Sequence, residues 1–332
     1  MEGIFGRDLE LTAMDQFLNS TPNWPSAMII QGEAGIGKTT LWLEGVRRAE
    51  ERSVRALQAR PAESEQKLSY VALADLVVGT FDEVGSTLPE VQQRALAGAL
   101  VRDETVDGTS ALTTATAFVG VLAACAKKSE VLLAVDDVQW LDSASAEALA
   151  FALRRLPPNV GVLLAHRVEL GQDLPLGLAR ALPEDRLLRI APRPLSLAAL
   201  HHLVKFRLGT SLPRPLLARL ADASGGNPFY ALEMARALAP EGDLKPTQPL
   251  PVPRNLEELV VSRVQTLSAP ARQLALAAAA TSQPTRSVLA AALPEDADFG
   301  AALLEAEEAG VLTSEDDRIR FEHPLLASVI YG

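Results

Sequence analysis

Cysteine is nearly absent from this sequence, and aromatic residues are scarce. The 332 residues include a single cysteine, Cys125, and 5% aromatic residues. One cysteine excludes an intramolecular disulfide framework and a zinc site built from cysteines. The apolar run around Cys125 predicts a buried, small hydrophobic side chain. Because alanine and leucine are plentiful where aromatics are few, the composition favours helices.

The sequence also lacks an excess of positive charge and a long apolar run. It has 31 Lys and Arg against 42 Asp and Glu, for a formal charge of -11. This balance argues against direct binding of DNA or of an anionic membrane by this segment. No stretch approaches the ~18 apolar residues of a membrane-spanning helix, and the first residues lack the apolar core of a signal peptide. We therefore expect a cytoplasmic protein, with roughly two or three domains for this length.

The most informative stretch that is present runs from Gly32 to Thr39. It matches G-x-x-x-x-G-K-[ST], the P-loop or Walker A motif, and follows a short apolar run at 27–31. Backbone N–H groups of such a loop bind phosphate oxygens, Lys38 would reach the terminal phosphates during catalysis, and the Thr39 hydroxyl would help to hold Mg²⁺. The alternative is an ordinary glycine-rich turn before a helix. The predicted ATP- or ADP-binding residues of this stretch are Gly32, Glu33, Ala34, Gly35, Ile36, Gly37, Lys38, Thr39 and Thr40.

A pair of acids follows a second hydrophobic run. Asp136 and Asp137 come directly after a predicted buried strand, and an open α/β sheet binds its ligands at the C-terminal ends of its strands. We assign Asp136 to the metal and Asp137 to activation of the attacking water, the alternative being two solvated acids in a turn. Arg167 ends the next strand and is predicted to contact the γ-phosphate, unless it forms a salt bridge at the rim. His166, on the opposite face, is predicted to pack or hydrogen-bond.

The order of elements predicts a parallel α/β sheet followed by a helical region. The predicted strands are short apolar runs at 27–31, 54–59, 130–135, 159–167 and 186–190. They alternate with helices at 11–18, 40–51, 71–81, 89–101, 109–127 and 143–154, the last capped by Ser143. From Pro192 onward, helices are predicted at 196–208, 215–223, 228–238, 256–267, 271–280, 287–293 and 299–309. A proline-rich linker at 246–253 interrupts them. A hairpin of 310–313 and 318–321, separated by 314–317, ends the pattern and suggests a winged helix.

Several of these segments together resemble a known family. The opening 6–10, the P-loop and residues 135–142 resemble the STAND class of AAA-related signalling ATPases. More narrowly, they resemble the nucleotide-binding oligomerisation module of large ATP-binding regulators of the LuxR type. Later landmarks at 225–229 and 321–326 agree with this resemblance. It implies an AAA-like ASCE P-loop NTPase domain, a helical lid and a winged-helix domain. These are expected at 1–191, 192–250 and 251–332.

The resemblance also implies further nucleotide contacts. Gly6 and Arg7 would lie near the base and the nucleotide. Pro228 would pack on adenine from the lid, which is compatible with the alternative role of a first helical residue after Asn227. His323 would donate to the β-phosphate of ADP, although nearby acids offer it a surface bond instead.

The function that follows is an ATP/ADP switch in which slow hydrolysis resets the chain. The resemblance implies exchange of ADP for ATP after an inducer or regulatory domain acts, and self-association in the ATP state. The alternatives are a ring-forming AAA+ remodelling or loader ATPase and a P-loop phosphotransferase. LuxR-type regulators carry a sensor region and a C-terminal helix-turn-helix that this sequence lacks. We therefore expect either a truncated regulatory core or a free-standing relative.

Overall fold

The computed structural model describes residues 3–101, 110–167, 174–238, 264–281, 284–294, 297–315, 317–321, 326–327 and 330. The chain divides into two compact units. One is Arg7–Arg193, and the other combines Met1–Gly6 with Pro194–Gly332. The further division of the second unit into a lid and a winged helix remains a prediction.

The Arg7–Arg193 unit is built on a parallel sheet, as the alternation of strands and helices predicts. Its strands are β1 (Ser26–Gly32), β2 (Arg55–Ala59), β3 (Val131–Val135), β4 (Val160–Arg167) and β5 (Leu187–Ile190). They form a five-stranded sheet in the order β2-β3-β4-β1-β5, and each neighbouring pair is parallel. The helices are α1 (Asp8–Asn19), α2 (Lys38–Glu51), α3 (Val71–Val84), α4 (Glu90–Val101), α5 (Ala111–Ala126), α6 (Ser143–Leu153) and α7 (Leu178–Ala181).

Hydrophobic side chains cover both faces of this sheet. Successive residues of a strand point to opposite faces, so Ile29 of β1 belongs to the hydrophobic cluster that includes residues of α3, α5 and α6, whereas Met28 and Ile30 belong to the cluster that includes residues of α1 and α2. All of the β3 residues are buried. Burial on both faces explains why the strands read as continuous apolar runs in the sequence.

The strand order places the candidate site residues at one edge of the sheet. β4 lies between β1, which precedes the P-loop, and β3, which precedes Asp136. In the pairing register Gly32 lies opposite Arg167, and Val135 lies opposite Leu164. Because parallel strands end on the same side, the P-loop and the residues that follow β3 and β4 converge there.

The other unit is helical with one hairpin. Helices α8 (Leu197–Leu208), α9 (Arg214–Ser224) and α10 (Pro228–Leu238) surround a core that includes Leu200 and Leu220. A separate core lies among α11 (Ala269–Ala280), α12 (Arg286–Ala291), α13 (Phe299–Glu308) and the antiparallel strands β6 (Leu312–Glu315) and β7 (Arg318–Phe321). The helical and hairpin predictions hold for the described residues. The linker at 246–253 and residues 256–263 of a predicted helix lie outside them.

Two local predictions are wrong. Asp142, and not Ser143, caps α6, because the extended backbone of Asp142 lets its carboxylate accept the Ser145 N–H at 2.8 Å. The hairpin turn is shorter than the predicted 314–317, since Ser314 pairs with Ile319 and Glu315 with Arg318. Polar residues thus continue the strands, and their polarity misled the prediction.

Candidate nucleotide-binding site

The P-loop backbone depends on its glycines. Gly35 and Gly37 have φ of 78° and 101°, in the left-handed region that other residues rarely adopt. A Cβ on Gly32 would lie 2.9 Å from Cγ2 of Ile36, so the tight turn also needs that position to be bare. Gly37 precedes α2, which begins at Lys38. The loop therefore ends at the free N–H groups of a helix start, an arrangement that binds anions.

Lys38 crosses this loop with its side chain. Its Nζ donates to the Glu33 carbonyl at 3.0 Å, and the residue is only 7% exposed. Burial lowers the pKa of Lys38, an effect that the charges of Asp137 and Asp136 oppose and that of Arg167 reinforces. The structure thus brings the charges of all the predicted catalytic residues to one place.

Thr39 and Asp136 provide two oxygen atoms next to each other. The Thr39 hydroxyl donates to Oδ1 of Asp136 at 3.4 Å, and the Asp137 N–H donates to the same oxygen at 3.0 Å. Burial and then the charge of Asp137 raise the pKa of Asp136 to about 7, although Arg60 lies 3.7 Å from Oδ2. A divalent cation bound here would favour the ionised carboxylate.

This donor set fits Mg²⁺. The ion takes one or two protein oxygens and completes its octahedron with water and phosphate oxygens, so Thr39 and Asp136 suffice as ligands beside a bound nucleotide. Within the described ranges there is no group of three or more His, Cys, Asp or Glu side chains that would hold a metal on its own. The residues present therefore fit an ion that arrives with phosphate.

Asp137 is held by a residue that the sequence analysis did not single out. Asp137 is buried and has a left-handed backbone with φ of 41°. Gln139 Nε2 donates to Oδ1 of Asp137 at 2.8 Å, and Gln139 Oε1 accepts the Arg167 N–H at 3.0 Å. The two-residue spacing from Asp137, on the loop after β3, is the signal that would have pointed to Gln139.

His166, which is predicted to pack or to hydrogen-bond, is affected by the charges of the site. It is buried at the end of β4, and its Nδ1 has no hydrogen-bond partner among the described residues. Burial and the positive charge of Lys38 lower the pKa of His166, whereas the charge of Asp137 acts in the opposite direction. The charges of Lys38 and Asp137 therefore both act on His166.

Arg7 contacts the P-loop backbone. Its Nη2 donates to the Ile36 carbonyl at 2.6 Å, and its Nη1 donates to the Arg193 carbonyl and to Glu10 Oε1. Burial lowers the pKa of Arg7, which is 5% exposed. In this structure the guanidinium binds protein acceptors at the loop. Its predicted nucleotide contact remains a prediction.

The sequence also predicts nucleotide contacts at Gly6, Pro228, His323 and Thr40. A Cβ on Gly6, which has φ of 65°, would lie 2.7 Å from Cβ of Ala199, so packing against α8 explains this glycine. Pro228 is the first residue of α10, which was one of its two predicted roles. His323 lies outside the described residues. Thr40 is exposed on the first turn of α2.

The parallel sheet, the P-loop and the acids beyond β3 are the features of a P-loop NTPase domain. Residues 3–165 match the model of the AAA ATPase domain family. The match spans the P-loop, Asp136 and Asp137 and ends within β4. The predicted NTPase class is confirmed at this level.

Two further comparisons cover nearly the whole chain. An uncharacterized protein of Rhizobium meliloti is 27% identical over 375 aligned positions, which include 99% of this chain. A STAND protein with a tetratricopeptide repeat sensor, from Pyrococcus horikoshii, has a similar fold with a TM-score of 0.62 and 12% identity over 99% of this chain. The chain spans 35% of the length of the first protein and 42% of that of the second.

A Walker-type ATPase of Pyrococcus abyssi also matches, with a TM-score of 0.48, 16% identity, and coverage of 98% of this chain and 96% of that one. The TM-score of 0.62 shows that this chain and the STAND protein share a fold. None of the helices in the described part of the chain is long and apolar enough to span a bilayer.

Proposed function

We propose that this chain is an ATP/ADP-dependent molecular switch with slow ATPase activity. The observation that carries the proposal is the meeting of the P-loop with the acids beyond β3, where the Thr39 hydroxyl lies 3.4 Å from Oδ1 of Asp136. A hydroxyl and a carboxylate at this distance are a pair of Mg²⁺ ligands beside a phosphate-binding loop.

Each residue at this edge has a proposed task. The main chain of the P-loop and Lys38 bind the β- and γ-phosphates, and Lys38 exchanges the Glu33 carbonyl for phosphate oxygen when nucleotide enters. Thr39 and Asp136 would hold Mg²⁺, and the bound ion would supply positive charge against the phosphates. Asp137 accepts a proton from the attacking water, and Arg167 stabilises charge on the γ-phosphate.

The switch role rests on the resemblance to STAND ATPases and to the nucleotide-binding core of LuxR-type regulators. We assign residues 192–250 to a lid that presents Pro228 to adenine, and residues 251–332 to a winged helix whose His323 contacts the β-phosphate of ADP. In this scheme ADP favours a closed state, and ATP favours an open one that self-associates. An inducer or a regulatory domain controls the exchange. The acidic segment itself does not bind DNA.

The test measures which nucleotide co-purifies with the chain and how fast the chain hydrolyses ATP. We expect ADP to be released when the purified chain is denatured, and ATP to be hydrolysed with Mg²⁺ more slowly than about 1 per second, the lower end of typical enzymes. Asp137→Asn should keep nucleotide affinity and lose turnover by about 10³-fold, because it removes the general base. Asp82→Asn, which changes an exposed acid on α3, is the matched control and should leave both unchanged.

Two results would contradict the proposal. A chain that binds neither ADP nor ATP with Mg²⁺ would remove the nucleotide site altogether. Turnover within the usual enzyme range, with no change in assembly between ADP and a non-hydrolysable ATP analogue in sedimentation, would identify a freely cycling ATPase in place of a switch.

A further inference from the structure

Gln139 contacts two functional elements of the site with the two ends of one amide. Its Nε2 donates to Asp137 Oδ1 at 2.8 Å, and its Oε1 accepts the Arg167 N–H at 3.0 Å. We infer that Gln139 is a positioning residue that orients the Asp137 carboxylate for water activation and ties it to the end of β4. This inference rests on the proposed ATPase function.

Chemistry fixes the orientation of this amide. An ionised carboxylate only accepts hydrogen bonds, and a backbone N–H only donates them. A flipped Gln139 would place its oxygen against Asp137 and its NH₂ group against the Arg167 N–H, with like groups facing each other at both contacts. Because only one orientation of the amide satisfies both partners, Gln139 presents its NH₂ group to Asp137 and its oxygen to the end of β4.

The main chain of Gln139 is also held in place. The Gln66 side chain, from the connection between β2 and α3, donates to the Gln139 carbonyl at 2.8 Å. The Trp140 N–H donates to the Asp137 carbonyl at 2.8 Å and closes the turn. A residue fixed at both its backbone and its side chain loses little further freedom when it orients a neighbour, which is what a positioning residue requires.

The arrangement has two consequences for hydrolysis. Among the described residues, the carboxylate of Asp137 hydrogen-bonds to Gln139 through Oδ1, so Oδ2 remains to accept the proton of water. The strand residue that donates to Gln139 is Arg167, whose guanidinium we assign to the γ-phosphate. A shift of this strand end when the γ-phosphate binds or leaves would therefore reach Asp137 through a single side chain.

The test compares Gln139 with a glutamine that lies outside these contacts. Gln139→Met keeps the side-chain volume but removes both hydrogen bonds, and should lower kcat by about 10- to 100-fold, the range of a hydrogen bond to a charged group. KM and the affinity for ATP should stay within about twofold, since neither bond holds the ground-state nucleotide. Gln93→Met, on α4, is the matched control, because Gln93 Nε2 also donates to a main-chain carbonyl, that of Leu88 at 2.8 Å, but takes no part in the contacts of Gln139; it should keep kcat within about twofold.

A double-mutant cycle then decides whether Gln139 acts through Asp137. In an Asp137→Asn background, the addition of Gln139→Met should cause no further loss of kcat, because the group it positions is no longer a base. A further loss of the same size would overturn the inference, as would Gln139→Met turning over at the wild-type rate. Melting temperatures identify unfolded variants. If Gln139→Met unfolds, Gln139→Asn, whose amide is too short for both partners, replaces it with the same expected loss.

Different experimental results would overturn the proposed function and the positioning role of Gln139. A wild-type chain without measurable ATP turnover would overturn the ATPase activity and the positioning role together. An active wild type, an inactive Asp137→Asn and a fully active Gln139→Met would overturn the positioning role alone.

Discussion

Two groups of charged side chains in the Arg7–Arg193 unit have opposite electrostatic character. On α2, Glu44 accepts hydrogen bonds from Arg47 at 2.7 and 2.8 Å and from Arg48 at 2.7 Å. The bonds from Arg47 and then Arg48 lower the pKa of Glu44 to about 2. At the sheet edge, burial and the neighbouring Asp137 raise the pKa of Asp136 to about 7. The surroundings of Glu44 stabilise its ionised form, whereas the surroundings of Asp136 destabilise its ionised form.

The difference favours Asp136 over Glu44 as a ligand-binding residue. Residues selected only for stability pair their charges, as the α2 group does. A buried acid whose negative charge is not neutralised by its own protein lowers stability, and it is retained where a bound ligand supplies the missing positive charge. For this reason perturbed pKa values are found more often at functional sites. Asp136 beside the P-loop meets that description, and Glu44 does not.

The largest effect is expected from the removal of Lys38, the cation that lies near Asp136 and Asp137. Lys38→Ala should lower kcat/KM for ATP by about 10⁴-fold, because it removes both a charged phosphate contact and stabilisation of the transition state. Steady-state ATP hydrolysis measures the effect, and circular dichroism should report an intact fold. Lys67→Ala, at an exposed position before α3, is the control and should leave turnover unchanged. Retained activity in Lys38→Ala would contradict the role of this group in phosphate binding.

The next prediction concerns Asp136→Asn, which should increase the stability of the fold and decrease ATP turnover. The folded-state pKa of about 7 lies above the usual 3.8, so this carboxyl favours the fold at low pH, and that contribution is lost as the pH rises toward and past about 7. At about pH 8 and without metal, Asp136→Asn should therefore raise the free energy of unfolding by about 1–3 kcal/mol. The same variant should lose Mg²⁺-dependent ATP turnover.

Urea denaturation with a chelator measures this stabilisation. Asp142→Asn is the control, because the Asp142 carboxylate accepts N–H groups from Ser145 at 2.8 Å and from Tyr70 at 2.9 Å. A neutral amide should bind these donors less well and destabilise the fold. If both substitutions destabilised the apo protein equally, the contrast between the two groups of charge would be lost.

Sequence analysis found the part of the site that local rules determine. The P-loop motif places Lys38 and Thr39, and the strand pattern places Asp136 at the same sheet edge. The destination of the Arg7 side chain at the Ile36 carbonyl could not be predicted in this way. It depends on how α1 and the loop approach each other, and sequence periodicity carries no information on that approach.

The role of Gln139 and the electrostatic environment of His166 could not be predicted, for related reasons. Gln139 follows the acids in the sequence, but its amide matters only because β4 ends beside it, where the Arg167 N–H lies 3.0 Å away. His166 alternates away from Arg167 along β4, so strand periodicity predicts that it packs or hydrogen-bonds. The charge of Lys38, which arrives from the loop after β1, gives it an electrostatic environment that no single strand predicts.

The smallest expected effect concerns the α2 group. The folded-state pKa of Glu44 lies below its usual value, so this acid stabilises the fold above about pH 4.5, and its contribution is lost as the pH falls toward about 2. Glu44→Gln should cost about 1–2 kcal/mol at neutral pH, less than the pKa alone suggests because Arg47 is half exposed and solvent screens the pair. The difference from wild type in urea denaturation should shrink between about pH 4.5 and 2, while ATP turnover at neutral pH stays unchanged.

Glu51→Gln, which removes an acid that is 59% exposed and also pairs with Arg47, is the control and should cost less than about 0.5 kcal/mol. A loss of turnover in Glu44→Gln would show that the two groups are coupled, and the distinction between a stabilising group and a ligand-binding group would then fail.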